Sequence, residues 1–483
     1  MIDIRPVAHP IGKITAVLGA AMALPMAMDW WHGDPHWIRF LECGLVTLVV
    51  GLLVATAART TDRALNMQQA FLLTSGLWAV LPVFGALPFI LGAPQAGLTD
   101  AYFEAMSGVT TTGTTVFADL DDLPRGIHLW RAILHWVGGL GIVVVAMVFL
   151  PVMKVGGMQF FRSEGFDTLG KIMPRAGEIA AEMTRIYTML TGACILTYMM
   201  LGMQPFDAVV NALGTVSTGG FSNYDASFGA FAGAPEWAAS GFMLLASIPF
   251  IRMAQAVRGE FAPVWHDRQI RAYLRWNLYA CAIIMSWRLT QEAGGPGPLA
   301  MLRETVFNTV STFSGTGFVS ADVAGWGHLP FAVLIVCGLV GGCTGSTACS
   351  VKVFRYLVLF RAVRAQVRRM HSPHRVYALR YEGRPLDQEV IDSVMAFFTL
   401  FVLTFGLLIV GLSLTGLHPR TALTAAWTAI ANIGPVWGPE ITANGSVTEF
   451  PGTAKWLMIL GMYLGRLELV SVLVLLLPKF WRG

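Results

Sequence analysis

Four short segments, rich in hydroxyl side chains and glycine, constrain the fold of this chain more than any other feature. Each closes an apolar stretch too short to cross a bilayer, and their final glycines are 107, 97 and 117 residues apart. They are Thr110-Thr111-Thr112-Gly113, Ser217-Thr218-Gly219-Gly220, Ser314-Gly315-Thr316-Gly317 and Ala431-Asn432-Ile433-Gly434. One such segment alone is typical of a glycine-capped helix end, but four in matching positions indicate four copies of one structural unit.

Composition places the chain in a membrane. Hydrophobic residues make up 55% of the 483 residues and charged residues only 13%, far outside the range of soluble globular proteins. A nucleic-acid-binding function would require a clustered basic soluble domain, which the sequence does not contain. We therefore predict an integral membrane protein in contact with lipid.

Ten apolar runs are long enough to span a bilayer. They lie near 11–31, 38–57, 69–92, 128–152, 184–203, 233–254, 273–293, 328–357, 390–414 and 453–477. One hydroxyl- and glycine-rich segment lies between the third and fourth, the fifth and sixth, the seventh and eighth, and the ninth and tenth runs. The predicted fold is all-α, with two leading transmembrane helices followed by four helix, re-entrant loop, helix repeats in pseudo-fourfold arrangement around one central pore.

The repeat pattern also divides the chain. The predicted units are a leading helix pair at 1–68, a first pore repeat at 69–183, a second at 184–272, a third at 273–385 with a broken second helix and a basic cytoplasmic segment, and a fourth at 386–483.

Charge predicts the orientation. Of the 33 lysines and arginines, 25 lie in segments on one side of the predicted spans, which the positive-inside rule makes cytoplasmic together with both termini. The opposite loops carry carboxylates that would attract cations to an outer vestibule or would merely be solvated. These are Asp119, Asp121, Asp122, Asp225, Glu236, Asp322, Glu440 and Glu449.

The four short segments have the chemistry of a cation filter. Non-helical backbone at membrane depth must line water or be buried in protein, so four such loops around one axis would face a shared cavity. Rings of backbone carbonyls can replace the water shell of a monovalent cation, and glycine permits the backbone conformation that this needs. Threonine hydroxyls would add oxygen ligands or brace the loops. The candidate filter residues are Thr111, Thr112, Gly113, Thr218, Gly219, Gly220, Gly315, Thr316, Gly317, Asn432, Ile433 and Gly434.

Two features beneath these segments are candidates for a gate. In the eighth run, Gly341, Gly342 and Gly345 stand among hydroxyl residues, which indicates either close helix packing or a helix broken by a movable loop. Arg466 lies near the middle of the last run, where it would either brace the bundle or point to the axis as a barrier to cations. Glu468 is two positions away and is a poor partner for it within one helix.

A basic stretch follows the eighth run. It would lie along anionic lipid headgroups or form a docking surface for a cytosolic partner. Its members are Lys352, Arg355, Arg361, Arg364, Arg368, Arg369 and Arg375.

Taken together, these motifs resemble those of TrkH-type subunits of the Trk/Ktr/HKT superfamily over nearly the whole chain. The residues that carry the resemblance are Thr110–Thr115, Ser217–Ser222, Gly315–Phe318, Asn432–Pro435, Gly341–Thr347 and Arg466. One departure is that Ala348-Cys349-Ser350 stands where the family's loop usually continues into glycines.

The resemblance implies potassium uptake across a bacterial cytoplasmic (inner) membrane by a multi-pass homodimer with one pore per chain. It also implies a TrkA-like cytosolic ring that binds nucleotides and NAD(H), so that this chain itself would carry no cofactor beyond the transported potassium ion. In the family the loop matching Gly341–Thr347 and the arginine matching Arg466 form the constriction below the filter, and glycine at the position of Gly113 favours potassium over sodium.

Two other functions compete with a regulated, channel-like pathway. A symporter that couples potassium to protons or sodium would need intramembrane carboxylates, for which Glu42, Glu104 and Glu468 are the few candidates. An intramembrane hydrolase would need a nucleophile and base pair or a metal cluster, and His135 among scattered serines and cysteines is too weak a signal. We therefore predict that the chain is not an enzyme.

Overall fold

The computed structural model describes residues 3–60, 65–148, 157, 176–291, 297–371, 379–382, 384–442 and 444–482, most of which are helical. The leading part contains α1 (Arg5–Ala21), α2 (Ala23–Trp31) and α3 (Trp37–Ala57). Within the described residues the only strands are Arg380–Tyr381 and Arg384–Pro385, which pair antiparallel as a short hairpin.

The rest of the chain is described in four sets of helices, each with a middle helix of 12 to 17 residues, the short helix, that ends at one of the four hydroxyl- and glycine-rich segments. The first set is α4 (Met67–Gly85) with α5 (Leu87–Leu91), α6 (Leu98–Val109) and α7 (Arg125–Val148). The second is α8 (Ala176–Met200), α9 (Pro205–Val216), and α10 (Ala234–Ala246) with α11 (Phe250–Val257). The third is α12 (Ala262–His266) with α13 (Arg268–Gln291), α14 (Pro298–Ser314), and α15 (His328–Val340) with α16 (Val353–His371). The fourth is α17 (Gln388–Leu414), α18 (Pro419–Ala431), and α19 (Gly452–Arg466) with α20 (Val470–Leu475) and α21 (Pro478–Arg482).

Every predicted apolar run contains a helix, but not every one of these helices is long and apolar enough to span a bilayer by itself. In the described part of the chain, five helical stretches are long and apolar enough to cross, and α10 with α11 would make a sixth if that pair, bent by 102°, is one span. The five are Arg5–Trp31, Trp37–Ala57, Met67–Leu91, Arg125–Ala146 and Gln388–Leu414. The count of ten crossings stays a prediction.

The leading helices pack through glycines. A Cβ atom added to Gly19 would lie 2.5 Å from the backbone nitrogen of Leu48, and one on Gly51 would lie 2.4 Å from that of Ala16. Small residues allow such close approach of two helix backbones, which is how helices associate in lipid. Gly461 and Gly465 have the four-residue spacing that packs helices either within a chain or between chains, and here they face α18 of the same chain.

The short helices form the centre of the molecule. Proline in the first turn starts α9, α14 and α18, since its missing N–H group is not needed there. Most of their residues are buried, 8 of 12 in α9, 10 of 17 in α14 and 10 of 13 in α18. The apolar part of α17, by contrast, is only 22% buried and leaves a broad surface for lipid or protein.

Candidate functional site: a ring of four loops above a buried arginine

Each short helix ends at the predicted hydroxyl- and glycine-rich segment in the same way. In all four, a residue just after the helix end adopts a left-handed conformation: Thr111 and Thr218 are second after the end, with φ of 50° and 51°, and Gly315 and Asn432 are first, with φ of 83° and 52°. In three of the four, the next N–H group bonds to the carbonyl five residues back, as in a Schellman helix end. The chain thus turns sharply at the end of each short helix and runs back as a loop.

In three of the four loops a second hydrogen bond joins the short helix to the far side of the loop, and the sequence analysis did not predict it. A hydroxyl six residues before the final glycine donates to the carbonyl one residue after it: Ser107 to Thr114 at 2.6 Å, Ser311 to Phe318 at 2.7 Å and Thr428 to Pro435 at 2.8 Å. The second loop has Gly214 at the corresponding position, and a Cβ added there would lie 3.1 Å from the Phe221 carbonyl oxygen. The spacing of these four positions repeats that of the final glycines, which is the signal that would have found them.

The four loops contact one another in a closed ring. A Cβ on Gly113 would lie 2.1 Å from the Gly219 carbonyl oxygen, one on Gly220 would lie 1.9 Å from that of Thr316, and one on Gly317 would lie 2.4 Å from the Gly434 nitrogen. The fourth loop returns to the first, because the Thr114 hydroxyl donates to the Gly434 carbonyl at 2.9 Å. Side chains are therefore excluded from three of the four contacts, and all twelve candidate filter residues lie in or beside this ring.

One side of the ring opens into a cavity of about 1010 Å³. Its lining includes the final glycine of every loop, Gly113, Gly220, Gly317 and Gly434. Of the outer carboxylates predicted from the sequence, Asp225 and Asp322 line this cavity, together with Arg131 and Arg420. The carboxylate of Glu236, by contrast, pairs with Arg303 at 2.5 Å.

The threonine hydroxyls of the ring mainly bond to other protein groups. Thr112 contacts the Thr110 hydroxyl at 2.8 Å, Thr218 donates to the Ser217 carbonyl at 2.7 Å, and Thr316 contacts the Ser314 hydroxyl at 2.7 Å. Of the two roles open to them from the sequence, these contacts favour bracing of the loops.

A buried ion pair supports the first and second loops from behind. The Glu104 carboxylate is fully buried, accepts from the Thr115 hydroxyl and the Val116 N–H group at 2.9 Å each, and pairs with Arg131 at 2.8 Å. Arg131 also donates to the Ser222 carbonyl at 2.8 Å. One guanidinium thereby ties the outer part of the first loop to that of the second.

We expect Arg131→Met to destabilise the protein by about 3–5 kcal/mol, because it leaves the Glu104 carboxylate buried without its cation. The free energy of unfolding in mild detergent measures this. Arg39→Met is the matched control, since Arg39 and Glu42 form an ion pair of similar length, 3.0 Å, whose side chains are about half exposed. Such an exposed pair contributes about 0–1 kcal/mol. Equal losses in the two variants would contradict a supporting role for the buried pair.

Below the ring, residues 341–352 form a buried non-helical loop between α15 and α16. Gly341 and Gly345 have φ of 73° and 77°, and a Cβ on Gly342 would lie 2.4 Å from that of Ala348. The structure therefore has a helix break at the three glycines, not the continuous packed helix that was the alternative. The loop is held by the sharp bend between α10 and α11, where the Ser247 carbonyl accepts from the Cys343 N–H group at 3.0 Å.

Arg466 is buried at the end of α19 and contacts this loop. Its guanidinium donates to the sulfur of Cys349 and, at 3.1 Å, to the carbonyl of Gly138. No carboxylate among the described residues pairs with it. Cys349 in turn lies 3.7 Å from the Thr111 hydroxyl, so the arginine, the loop and the ring of four loops are in direct succession.

Glu468 pairs across elements and not with Arg466. The chain leaves the helix after Arg466, and Glu468 has a left-handed φ of 60°. Its carboxylate contacts Arg355 and lies 3.7 Å from the Lys352 ammonium group. Lys352 and Arg355 are both buried, so the prediction that these two residues belong to an exposed basic surface is wrong. Arg364, Arg368 and Arg369 are exposed on α16, while Arg375 lies outside the described residues.

Comparison with known proteins agrees with this architecture. Residues 37–274 and 300–482 match the family model TrkH, described as a cation transport protein. The chain is 38% identical over 479 residues to the Trk system potassium uptake protein TrkI of Halomonas elongata, covering 99% of this chain and 97% of that protein. It is 33% identical over 488 residues to the Trk system potassium uptake protein TrkH of Vibrio parahaemolyticus, covering 99% of both.

The fold is similar as well. The crystal structure of the potassium transporter TrkH from Vibrio parahaemolyticus superimposes with a TM-score of 0.92 at 32% identity and covers 100% of both chains. The matched family transports cations and is not a family of enzymes, as predicted. This chain is therefore a multi-pass membrane protein that belongs to the TrkH family of cation transport proteins.

Proposed function

We propose that this protein takes up potassium through a channel-like pathway at the centre of the ring of four loops. The observation that supports the proposal is the ring itself. Four helix ends, each followed by a residue in the left-handed conformation, meet there, and the final glycines of the four loops line one outer cavity. Glycine at these contacts lets backbone carbonyls approach an ion closely, as a filter for a dehydrated cation needs. The carboxyl ends of the short helices add partial negative charge at the same place.

The gate in this proposal is the loop 341–352 together with Arg466. A guanidinium buried below the ring repels cations strongly because its field is poorly screened there. Opening then requires the loop and the arginine to leave the ion path.

A channel-like pathway is favoured over coupled symport by the state of the buried carboxylates. In the part of the chain that the structure describes, six carboxylates are buried, and each is hydrogen-bonded or ion-paired within the protein. They are Asp29, Glu104, Asp207, Glu236, Asp267 and Glu468. A coupling site needs a carboxylate that exchanges protons or sodium with water, and paired carboxylates are poorly suited to that.

We further propose that this chain works within a larger assembly, because its relatives are named as proteins of a Trk system. The exposed apolar side of α17 would contact a second copy of the chain or lipid, and the exposed arginines of α16 would dock a TrkA-like cytosolic ring that carries the regulatory nucleotide or NAD(H). Both termini would be cytoplasmic in the inner membrane, and the four pore repeats would be the functional units of the chain.

Ion flux into proteoliposomes that contain this chain alone tests the transport mechanism. Potassium and sodium gradients are set independently, and external pH is varied at a clamped membrane potential. We expect potassium flux to follow its own electrochemical gradient and to be insensitive to the proton and sodium gradients. Potassium accumulation against its gradient, driven by protons or sodium, would instead establish a symporter.

A further inference from the structure

Cys349 occupies the position between the ring of four loops and Arg466. Its sulfur contacts the Arg466 guanidinium as a hydrogen-bond acceptor and lies 3.7 Å from the Thr111 hydroxyl. From the other side, a Cβ on Gly315 would lie 3.5 Å from the Cys349 backbone nitrogen. The thiol thus lies beneath the first and third loops, in contact with the one buried cation of α19 that has no carboxylate partner among the described residues.

The contact joins two elements that are far apart in the chain. Arg466 belongs to the fourth repeat and Cys349 to the buried loop of the third. The loop is also joined to the fourth repeat by the bonding of Glu468 to Lys352 and Arg355, and by the Ser350 hydroxyl, which donates to the Ala431 carbonyl at 3.2 Å. The Gly138 carbonyl satisfies a second N–H group of Arg466, while its Nε has no partner. Loss of the sulfur would therefore leave the guanidinium with a single protein acceptor.

We propose that the Cys349 sulfur is a positioning group that holds Arg466 against the loop in the closed conformation. The proposal rests on the proposed function, because it assumes that the loop and Arg466 block the ion path. Movement of either partner out of the path breaks the contact, so the hydrogen bond stabilises the closed state alone. A residue without an acceptor at this position shifts the equilibrium toward the open state.

The test is basal potassium flux through the reconstituted full chain in the absence of any partner. Cys349→Ala removes only the sulfur, and we expect its basal flux to be about tenfold above that of the original chain, the effect of losing one hydrogen bond to a charged group. Cys349→Ser retains an acceptor and should stay nearer to the original flux. The potassium-to-sodium flux ratio should be unchanged in both, because the ring is not altered.

Cys337→Ala is the matched control. Cys337 lies on α15, outside the loop, and is buried to a similar degree, but it packs in an apolar cluster with Ile248, Tyr273 and Phe313. A similar rise in this variant would show that the loop is merely loosened and would overturn the proposal. The double variant Cys349→Ala with Arg466→Ala should conduct no more than Arg466→Ala alone, since contacting residues that act through one interaction are not additive.

The outcomes separate this proposal from the proposed function. Potassium flux in the original chain with no increase in Cys349→Ala would overturn the positioning role and leave the channel intact. A chain that does not conduct potassium in any variant would overturn both. Full additivity in the double variant would show that Cys349 acts on flux by another route than Arg466.

Discussion

Replacement of Gly113 by serine is expected to lower the potassium-to-sodium flux ratio by about tenfold, the equivalent of a ~1.4 kcal/mol change in relative ion stabilisation. The added Cβ would lie 2.1 Å from the Gly219 carbonyl oxygen, so one of the two loops must move. Gly113 also has a φ of 87°, which L-residues rarely adopt. Because a filter selects by the placement of its oxygens, displacement of this carbonyl weakens discrimination against the smaller ion. Flux ratios in proteoliposomes measure the effect.

Gly434→Ser provides the control at the matching position of the fourth loop. Its nearest contacts to an added Cβ are the carbonyl oxygens of Gly113 and Gly317 at 3.3 Å, and its φ is not in the left-handed region. We expect a smaller loss of selectivity there. An unchanged flux ratio in well-folded Gly113→Ser would show that this glycine is not part of the filter.

Arg466→Ala is expected to raise basal potassium flux by about tenfold or more while the flux ratio of potassium to sodium is retained. A unit charge about 5 Å from a cation costs ~3 kcal/mol at an effective dielectric constant of 20, so its removal lowers a large barrier. Arg466 donates to Cys349 and Gly138, neither of which belongs to the ring of loops, and selectivity should therefore survive. Flux through the chain alone, at equal protein density, is the measurement.

Arg466→Lys separates charge from shape in the same experiment. Lysine keeps the positive charge but not the planar group that contacts both Cys349 and Gly138. Flux close to that of the original chain would assign the barrier to charge, and flux as high as in Arg466→Ala would assign it to the contacts. Unchanged flux in folded Arg466→Ala would contradict any gating role.

The positions of the four loops could be predicted from the sequence because each turn depends on the residue types within a few positions of it. A chain that turns at membrane depth needs glycine and small hydroxyl residues, and segments such as that ending in Gly113 stand out against apolar runs. The break at Gly341–Gly345 was visible for the same reason. The assignment of individual residues to ion binding and gating remains a prediction for the experiments above.

The contacts between distant parts of the chain could not be predicted in this way. The helix of the last run ends at Arg466 with no glycine or proline directly after it, and Glu468 contacts Arg355, more than a hundred residues earlier. The same pairing withdraws Lys352 and Arg355 from the basic surface that their spacing suggested. The acceptor for Arg466 proved to be a cysteine whose sequence context gave no sign of it.

Building the ring from one polypeptide also has a genetic consequence. In a ring of four identical subunits every mutation is copied four times, whereas here a single codon alters one quarter of the structure. The four quarters differ in sequence, with Gly214 in place of a hydroxyl residue in the second and Ile433 in the centre of the fourth. Each loop around the axis can therefore change independently of the others, and a substitution in one loop leaves the other three unaltered.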